Sequence, residues 1–536
     1  MSEDTRSGNT SRGELMRSCL AYFAAVSFGL AQPLYSEVAR SYGVISLGVK
    51  DIALIILLVQ IGPTVALLLV RMIVGSRRFI IDMVVYSAAA LSVGRQIQLA
   101  YFRSAAELPT AMKFSILAVT LVFIVAAIYW LRRYLMLYMT YLGVLALVFP
   151  VYFVWSYQMQ HLPQPASLAD PQPAPDRKTP DKTVFIFIFD ELSLSLLLDD
   201  TGMVDPNMFP NLHRFSRESI WFREAIANYA FTVHSIPSML TGSFVRRVSL
   251  DDSPEPSKFP QPNLLSVLWR EGYRVNVYSR SWGCWEERAM CVRHDLGRGT
   301  VKILQIIILS ANKIVPQFLS YRIFPTWVTT REVLEGQMLS RVGRGEFANP
   351  GNASLFHFLF SHSPYYLSVN GIPVPSKDTS FGPQADVGRV LTRYREQVKY
   401  LDRQFGLFLD GLKKSGAWKR SVIVVTADHG ECWRPGCMGR VNHISAVEPS
   451  LARVPMMIRA PHLKPRILDN DYQHIDFYPT VLDVLGISAP DSAKVDGRSA
   501  LAPALSKRPR YFFLDEDLKE LVELSLPPQR VEIVGR

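Results

Sequence analysis

Long apolar stretches follow one another through the first 160 residues of the chain and then stop. Crossing a bilayer takes about 20 apolar residues. Four uncharged stretches reach this length, residues 18–36, 52–70, 114–131 and 134–160. A fifth, residues 79–94, contains Asp82, which leaves a buried or interfacial helix as the alternative to a span. The pattern predicts a helical transmembrane anchor over residues 1–160.

The distribution of basic residues favours five spans over four. With the N-terminus in the cytoplasm, five spans place the arginines at positions 71, 77, 78, 132 and 133 on the cytoplasmic side as well. Five other basic residues between the stretches would then lie outside, so the bias is imperfect. We expect a multi-pass protein of the cell inner (plasma) membrane, with everything after residue 160 in the periplasm.

A proline-rich segment separates the anchor from the rest of the chain. Residues 161–182 contain six prolines, which stiffen the backbone and prevent a helix. We interpret residues 161–182 as a linker and residues 183–536 as an extracytoplasmic catalytic domain.

The pattern changes character after the linker. Continuous apolar runs at Thr183–Phe189, residues 355–360 and Ser421–Thr426 predict strands that are covered on both faces. Between the last two, Val387–Lys414 repeats its apolar residues at helical spacing. The alternation predicts an α/β sandwich around a mostly parallel central sheet.

Composition adds two constraints. The net charge is +11, but no basic tract or nucleic-acid motif accompanies it, so a position beside an anionic lipid surface fits at least as well as nucleic-acid binding. A generic basic surface of a soluble domain is the alternative. Four cysteines form two close pairs, Cys284 with Cys291 and Cys432 with Cys437. We expect disulfides in an oxidising compartment, because neither pair has the two-residue gap typical of a four-thiolate zinc site.

Each predicted strand runs directly into polar residues of ligand type. Asp190 and Glu191 follow the first strand, Ser361 and His362 the second, and Asp428-His429-Gly430-Glu431 the third. Open α/β sheets bind ligands outside the carboxyl ends of their strands. Mixed carboxylate and imidazole ligands suit Zn²⁺ best, with Mn²⁺ as the alternative.

A hydroxyl nucleophile is available between the first two strands. A divalent metal lowers the pKa of a bound hydroxyl, and Thr232 is the best candidate for this role. We expect Pro237 in the first turn of a helix, whose free N–H groups would favour a phosphate or sulfate. Taken alone, Thr232 and Ser235 are equally compatible with helix-capping residues.

Together these motifs resemble the sulfatase-like branch of the alkaline phosphatase superfamily. Within it, the chain most resembles membrane-bound phosphoethanolamine transferases and lipoteichoic acid synthase-type phosphoglycerol transferases, which have five spans and an extracytoplasmic domain. The resemblance covers roughly residues 183–490. The family motifs are matched by Glu191 after the first strand, Thr232 before Pro237 and Met239, His362, Asp428 to Glu431, and His443.

The resemblance implies a role for each matched residue. Glu191, Asp428 and His429 would hold the metal together with Thr232, and Asp190 would be a further ligand or a partner of the ligands. The histidines His362 and His443 would bind phosphoryl oxygens and move protons. His357, inside an apolar run, is interpreted as a structural residue.

The reaction implied is transfer of a phosphoethanolamine or phosphoglycerol group from a membrane phospholipid to an envelope glycan or lipid, through a phospho-threonine intermediate. A sulfatase- or phosphodiesterase-type hydrolase is the alternative, because Ser235-Ile-Pro-Ser resembles the start of the sulfatase signature. That signature's arginine is Met239 here, so Thr232 ranks above Ser235 as nucleophile. A non-catalytic envelope scaffold is the third hypothesis. The sequence makes no prediction of the oligomeric state.

Overall fold

A computed structural model describes most of the chain. The described residues are 4–40, 49–75, 78–101, 110–160, 177–244, 262–279, 290–291, 331–365, 367–372, 374, 386–433, 449–502, 508–514 and 521–524. They form two compact units, one containing the N-terminal helices and the other containing the large sheet.

The described part of the N-terminal unit is helical except for the turn at Ala146–Leu147. Its α-helices are Asp4–Val26, Gln32–Arg40, Val49–Ile56, Gly62–Val74, Arg78–Tyr101, Thr110–Leu145 and Val148–Gln160. Two π-helical turns, Ser27–Ala31 and Leu57–Ile61, continue the first and third of these helices without a break.

The described residues contain two stretches long and apolar enough to cross a membrane, Val49–Val74 and Tyr134–Ser156. They overlap the predicted spans 52–70 and 134–160, and Ala118–Leu131 is a shorter apolar stretch. The total of five spans stays a prediction.

One predicted boundary in this unit is wrong. The sequence pattern separates two spans at Arg132 and Arg133, whereas a single helix runs from Thr110 to Leu145. No proline or glycine lies near the two arginines, and arginine itself favours a helix, so nothing local ends the helix there. The turn comes instead at Ala146–Leu147.

The second unit is built on an eight-stranded sheet. Its strands in chain order are β1 (Thr183–Phe189), β2 (Ile220–Phe222), β3 (Arg274–Ser279), β4 (Met290–Cys291), β5 (Asn352–Phe358), β6 (Ser421–Thr426), β7 (Met456–Arg459) and β8 (Arg466–Leu468). Their spatial order is β4-β3-β5-β1-β6-β7-β2-β8. Only β7 pairs antiparallel with both of its neighbours, so the predicted α/β fold with a mostly parallel sheet is confirmed.

Helices flank this sheet and a small hairpin follows it. The α-helices are Pro210–Arg217, Thr232–Thr241, Leu264–Arg270, Arg331–Gly343, Val387–Lys414, Pro449–Ala452 and Phe477–Leu485. The hairpin pairs β9 (Tyr511–Phe513) with β10 (Leu521–Glu523).

Alternating phenylalanines in β1 form the centre of the core. Phe185, Phe187 and Phe189 lie on one face of this fully buried strand, since side chains alternate between faces. They pack edge to face against Phe405 and Phe408 of the Val387–Lys414 helix. The predicted boundaries of β1, β6 and this helix are confirmed, and β5 begins and ends somewhat earlier than predicted.

Some predictions concern residues that lie outside the described part of the chain. These are His443, Cys284 and Cys437, together with most of the linker. The disulfides and the role of His443 therefore stay predictions.

Candidate metal centre and nucleophile

The three central strands deliver the predicted ligands to one edge of the sheet. β5, β1 and β6 are adjacent and parallel, so their carboxyl ends lie side by side. Asp190 and Glu191 leave β1, His362 leaves the end of β5, and Asp428 with His429 leaves β6. The convergence predicted from the strand ends is present.

The most deeply buried set of ligands consists of Asp190, Asp428 and His429. One ligand atom from each lies within 4.8 Å of the others, and all three residues are buried. Asp190 Oδ1 and Asp428 Oδ2 accept no hydrogen bond from the described residues. Unpaired buried carboxylate oxygens are costly unless a cation binds them, so this set fits a divalent metal.

The tautomer of His429 supports the same assignment. Its Nδ1 lies 2.8 Å from the carbonyl oxygen of Gly430, which can only accept, so Nδ1 donates there and Nε2 is the nitrogen available to a metal. That nitrogen lies 3.3 Å from Asp428 Oδ2. Two ligands of a tetrahedral ion, each about 2.1 Å from the metal, are separated by about 3.4 Å.

Glu191 and His362 form a second set that also includes Asp190. Glu191 is buried, whereas the His362 side chain is 28% exposed. His362 Nε2 lies 3.3 Å from Glu191 Oε1, and the backbone N–H of Ser363 donates to Glu191 Oε2. The sequence predicts Glu191, Asp428 and His429 as ligands, with Asp190 as a further ligand or partner. In the structure Asp190 lies with Asp428 and His429, and Glu191 lies with Asp190 and His362.

His357 is hydrogen-bonded to Asp190. Its Nε2 donates to Asp190 Oδ2 at 3.1 Å, and its Nδ1 lies 3.3 Å from Ser279 Oγ on β3. Burial alone would raise the pKa of Asp190, but the nearby His362 and the bond from His357 hold that pKa well below its usual range. Burial likewise would lower the pKa of His357, yet the bond to Asp190 raises it. Nothing in the local sequence indicates that this histidine orients a ligand.

Thr232 is the first residue of the Thr232–Thr241 helix, and its hydroxyl lies 3.4 Å from His429 Nε2. Phe231 occupies the N-cap position, so the capping interpretation of Thr232 is wrong. The expectation that Pro237 lies in the first turn is also wrong, because the helix begins five residues earlier. The helix N-terminus is nevertheless at the site, and it supplies Thr232 itself.

Ser235 points away from the ligands. Its hydroxyl donates to the carbonyl oxygen of Asp428 at 2.5 Å and lies 3.3 Å from His474 Nδ1. Burial lowers the pKa of His474 to about 3, so this ring is neutral at pH 7. Because the single hydroxyl proton of Ser235 is donated to a carbonyl, His474 donates to Ser235 rather than accepting. His474 was not among the predicted site residues.

Two backbone features fix the ligand loops. Glu191 has φ of 61°, a left-handed conformation that costs a non-glycine residue free energy and is typical of functional sites. Its N–H donates to Asp428 Oδ1 at 3.2 Å. Gly430 passes so close to Ser450 that a Cβ there would lie 1.9 Å from the Ser450 carbonyl oxygen. Only glycine fits at this point of the Asp-His-Gly motif.

Two buried side chains, one turn apart on the Val387–Lys414 helix, hydrogen-bond to the loops that carry Glu191 and His362. Gln397 Nε2 donates to the carbonyl of Phe360, and its Oε1 accepts from the N–H of Leu367, so one amide joins both ends of the His362 loop. Tyr394 donates to the carbonyl of Glu191. Helical periodicity predicts that these two side chains are buried, but it does not reveal which loop atoms they bind.

Comparison with known proteins agrees with the motifs. The Sulfatase family model matches residues 182–487. A sulfatase of Formosa agariphila is 30% identical over 129 residues, which is 24% of this chain and 24% of the relative. Lipoteichoic acid synthase 2 of Bacillus subtilis is 31% identical over 143 residues, 25% of this chain and 21% of the relative. The chain thus matches about a quarter of the length of these curated relatives.

Among solved structures, a protein in the alkaline phosphatase superfamily from Vibrio parahaemolyticus is similar, with a TM-score of 0.43 and 19% identity. The alignment covers 67% of this chain and 78% of that one. Since the family model spans more than half of the chain and includes every described ligand, the protein belongs to the sulfatase family, within the alkaline phosphatase superfamily that its motifs resemble.

Proposed function

We propose that this protein is a membrane-bound, metal-dependent transferase with Thr232 as its nucleophile. It would move a phosphoethanolamine or phosphoglycerol group from a phospholipid to an envelope glycan or lipid. The observation that carries the proposal is the position of the Thr232 hydroxyl, 3.4 Å from His429 Nε2 and beside the buried carboxylates. The Ser235 hydroxyl, which a sulfatase of the formylglycine type would need, is instead bonded to a backbone carbonyl.

The residues of the metal centre fit a divalent cation, which Asp190, Asp428 and His429 would hold. When bound, Zn²⁺ or Mn²⁺ would lower the pKa of the Thr232 hydroxyl, whose proton then passes to solvent. Glu191 lies next to this set and orients His362 through their 3.3 Å contact. The helix that begins at Thr232 brings its N-terminus next to His429, and a helix N-terminus favours an anion such as a phosphodiester.

The reaction would proceed in two displacements. In the first, a bond forms between Thr232 Oγ1 and phosphorus, the bond from phosphorus to the diacylglycerol oxygen breaks, and His362 or His443 protonates that oxygen. In the second, the acceptor hydroxyl gives its proton to the same histidine and attacks phosphorus. The bond to Thr232 then breaks, and the side chain returns to its starting state.

A lipid donor explains why the domain would be tethered to a membrane. The two apolar stretches Val49–Val74 and Tyr134–Ser156 support an anchor, and we propose five spans with the catalytic unit in the periplasm. Lipoteichoic acid synthase 2, a partial relative, supports a transferase. The sulfatase relatives support the second candidate, a sulfuric or phosphoric ester hydrolase of the same family, to an equal degree.

The test uses mass spectrometry to compare the lipids and glycans of a deletion strain with those of the same strain complemented by the wild type, by Thr232→Ala or by Ser235→Ala. We expect a head-group phosphodiester on an envelope component with the wild type and Ser235→Ala, and none with Thr232→Ala. Accumulation of a sulfated component in the deletion cells, cleared by the wild type, would establish the hydrolase instead. Unchanged lipids and glycans in all strains would contradict both.

A further inference from the structure

The Thr232–Thr241 helix is held at both ends by chain that lies beyond the family match, which ends at residue 487. After the last turn of the helix, the N–H groups of residues 496 and 497 donate to the carbonyl oxygen of Gly242, each at 2.9 Å. Before the first turn, β9 of the C-terminal hairpin pairs with residues 228–230. Both ends of the helix therefore depend on contacts with residues that the family model does not include.

The pairing with β9 fixes the main chain that enters the helix. The N–H of Phe513 donates to the carbonyl oxygen of Asn228 at 2.8 Å, and the N–H of Ala230 donates to the carbonyl oxygen of Phe513 at 3.0 Å. Between these two bonds the ring of Tyr229 stacks on the ring of Phe513, with the centroids 4.9 Å apart and the planes inclined by 8°. Tyr229 is fully buried. Thr232 follows this bonded segment by two residues, so little freedom is left in the chain that carries it.

The side chain of Asn228 adds three hydrogen bonds at the same place. Its Nδ2 donates to the carbonyl oxygen of Tyr511 at 2.7 Å and to Gln473 Oε1 at 3.1 Å, and its Oδ1 accepts from the N–H of Ile475 at 3.0 Å. A backbone carbonyl can only accept, so this position requires an amide with its donors toward the hairpin. Asn228 is fully buried, so water does not replace a bond that is lost here. An aspartate carboxylate has the same shape and has neither donor.

Asn228 also joins the nucleophile segment to the chain that supports a metal ligand. Ile475, to which its Oδ1 is bonded, follows His474, which donates to Ser235. Ser235 in turn donates to the carbonyl oxygen of Asp428. The position of the nucleophile relative to the metal therefore depends on this one amide. A displacement of about 1 Å between reacting groups can cost about 100-fold in rate.

We infer that Asn228 is a positioning residue for Thr232, and that the C-terminal hairpin supports the active site. The inference deepens the proposed function and rests on Thr232 as the nucleophile. The side-chain bonds of Asn228 within the described residues go to the hairpin and to residues 473–475, and none goes to a predicted metal ligand. Loss of these bonds should lower turnover and leave metal binding intact, whereas a packing residue would affect stability alone.

The test compares the wild type, Asn228→Asp and Asn276→Asp as full-length chains in detergent with Mn²⁺ and an aryl phosphodiester. Asn276 is a buried asparagine of β3 whose amide donates to Ser354 Oγ, so the same change there removes a buried donor without touching the nucleophile segment. We expect Asn228→Asp to lower kcat by about 10–100-fold, because Thr232 is displaced. Its KM and its Mn²⁺ affinity by calorimetry should change little, and Asn276→Asp should keep the kcat of the wild type.

Hydrogen exchange locates the effect and does not require turnover. At a temperature where the proteins are folded, the amides of residues 228–235 should exchange faster in Asn228→Asp than in the wild type, and those of β1 should not. Phe513→Leu is a milder second variant, because it keeps apolar bulk and removes only the ring that stacks on Tyr229. It should change kcat and exchange in the same direction, and it decides the question if Asn228→Asp does not fold.

The outcomes separate the inference from the proposed function. Normal kcat in the folded Asn228 and Phe513 variants, beside an inactive Thr232→Ala, would overturn the inference alone. Lower stability of these variants without faster exchange in residues 228–235 would also overturn it. A wild type that neither turns over the substrate nor forms a covalent adduct, or a fully active Thr232→Ala, would overturn the proposed function and the inference with it.

Discussion

Two hydroxyl groups three residues apart in one helix offer a controlled comparison. Thr232 lies next to His429, whereas Ser235 donates to a carbonyl oxygen and receives from His474. We expect Thr232→Ala to lower the turnover of an aryl phosphodiester or aryl sulfate by about a thousandfold or more, because the attacking group is lost. Ser235→Ala should keep the rate within about tenfold, because the group it removes serves the fold.

Mass spectrometry of the intact chain after rapid quenching checks the same assignment. A covalent phosphoryl adduct should appear on the wild type and on Ser235→Ala, and be absent from Thr232→Ala. An adduct that maps to Ser235, or loss of activity in Ser235→Ala alone, would contradict the assignment of Thr232.

His357 should control metal affinity although it binds no metal. It donates to Asp190 Oδ2 and leaves Oδ1 without a hydrogen bond from the described residues, and such partners of a ligand are typically worth about 10–100-fold in metal affinity. We expect His357→Leu to weaken Mn²⁺ binding by that factor in a calorimetric titration. His357→Gln keeps an N–H donor near the same place and should recover much of the loss. Equal affinity in all three proteins would show that His357 is only a packing residue.

Thr232 and His357 differ in whether the sequence could predict their roles. Thr232, Asp428 and His429 could be predicted because they stand in short motifs with defined spacing. His357 and His474 act through partners about 170 and 240 residues away, Asp190 and Ser235. Nothing in the local sequence of either histidine records such a distant contact, so only the fold could reveal it.

The long Val387–Lys414 helix is the element that holds the His362 loop in place. Gln397→Leu would leave the buried carbonyl of Phe360 and the N–H of Leu367 unpaired, at a cost of about 1–3 kcal/mol each. We expect a lower free energy of unfolding in denaturant titrations and faster amide exchange confined to the Phe360–Leu367 loop. Gln404→Leu, two turns further along the same helix and partly exposed, is the matched control.

The effect on activity would separate bracing of the loop from general stability. If Gln397 positions His362, Gln397→Leu should lower kcat/KM even at temperatures where the variant is fully folded. Loss of stability with unchanged kcat/KM and unchanged loop exchange would show that the brace has no effect on the site.

Elements were predicted best where their pattern was strongest. β1, β6 and the Val387–Lys414 helix match their predicted limits, because continuous apolar runs and a clear helical period leave little choice. The start of the Thr232–Thr241 helix was misjudged because Pro237 favours a first turn, and in fact lies inside the helix. The orders of β2, β7 and β8 in the sheet depend on long-range pairing, which no local pattern contains.

At the scale of the whole molecule, the predicted number of membrane crossings depends on one long helix. Thr110–Leu145 has 36 residues and is about 54 Å long at 1.5 Å per residue, much more than the roughly 30 Å hydrocarbon core. The sequence placed two spans on either side of Arg132 and Arg133, but a continuous helix cannot turn back there. With the turn at Ala146–Leu147, the helix Val148–Gln160 is too short to cross alone.

Reporter fusions can decide where the chain crosses. An alkaline phosphatase reporter is active only outside the cytoplasm, and green fluorescent protein fluoresces inside it. With an odd number of crossings, fusions after residue 160 and at the C-terminus should give active phosphatase and no fluorescence, because the proposed function needs the catalytic unit outside the cytoplasm. Fluorescence at both positions would place the catalytic unit in the cytoplasm and remove the basis for a periplasmic transferase.

A third fusion within Ala146–Leu147 tests the single long helix directly. If the chain reverses near Arg132 and Arg133, as the charge pattern predicts, residue 146 lies midway through the last span and a reporter there gives a mixed signal. If the helix Thr110–Leu145 crosses once and its second half lies outside the hydrocarbon core, the same reporter should behave like the fusion after residue 160. A mixed signal would support five spans. A signal like that of the fusion after residue 160 would mean that the basic residues lie on different sides of the membrane from those that the five-span prediction gives them.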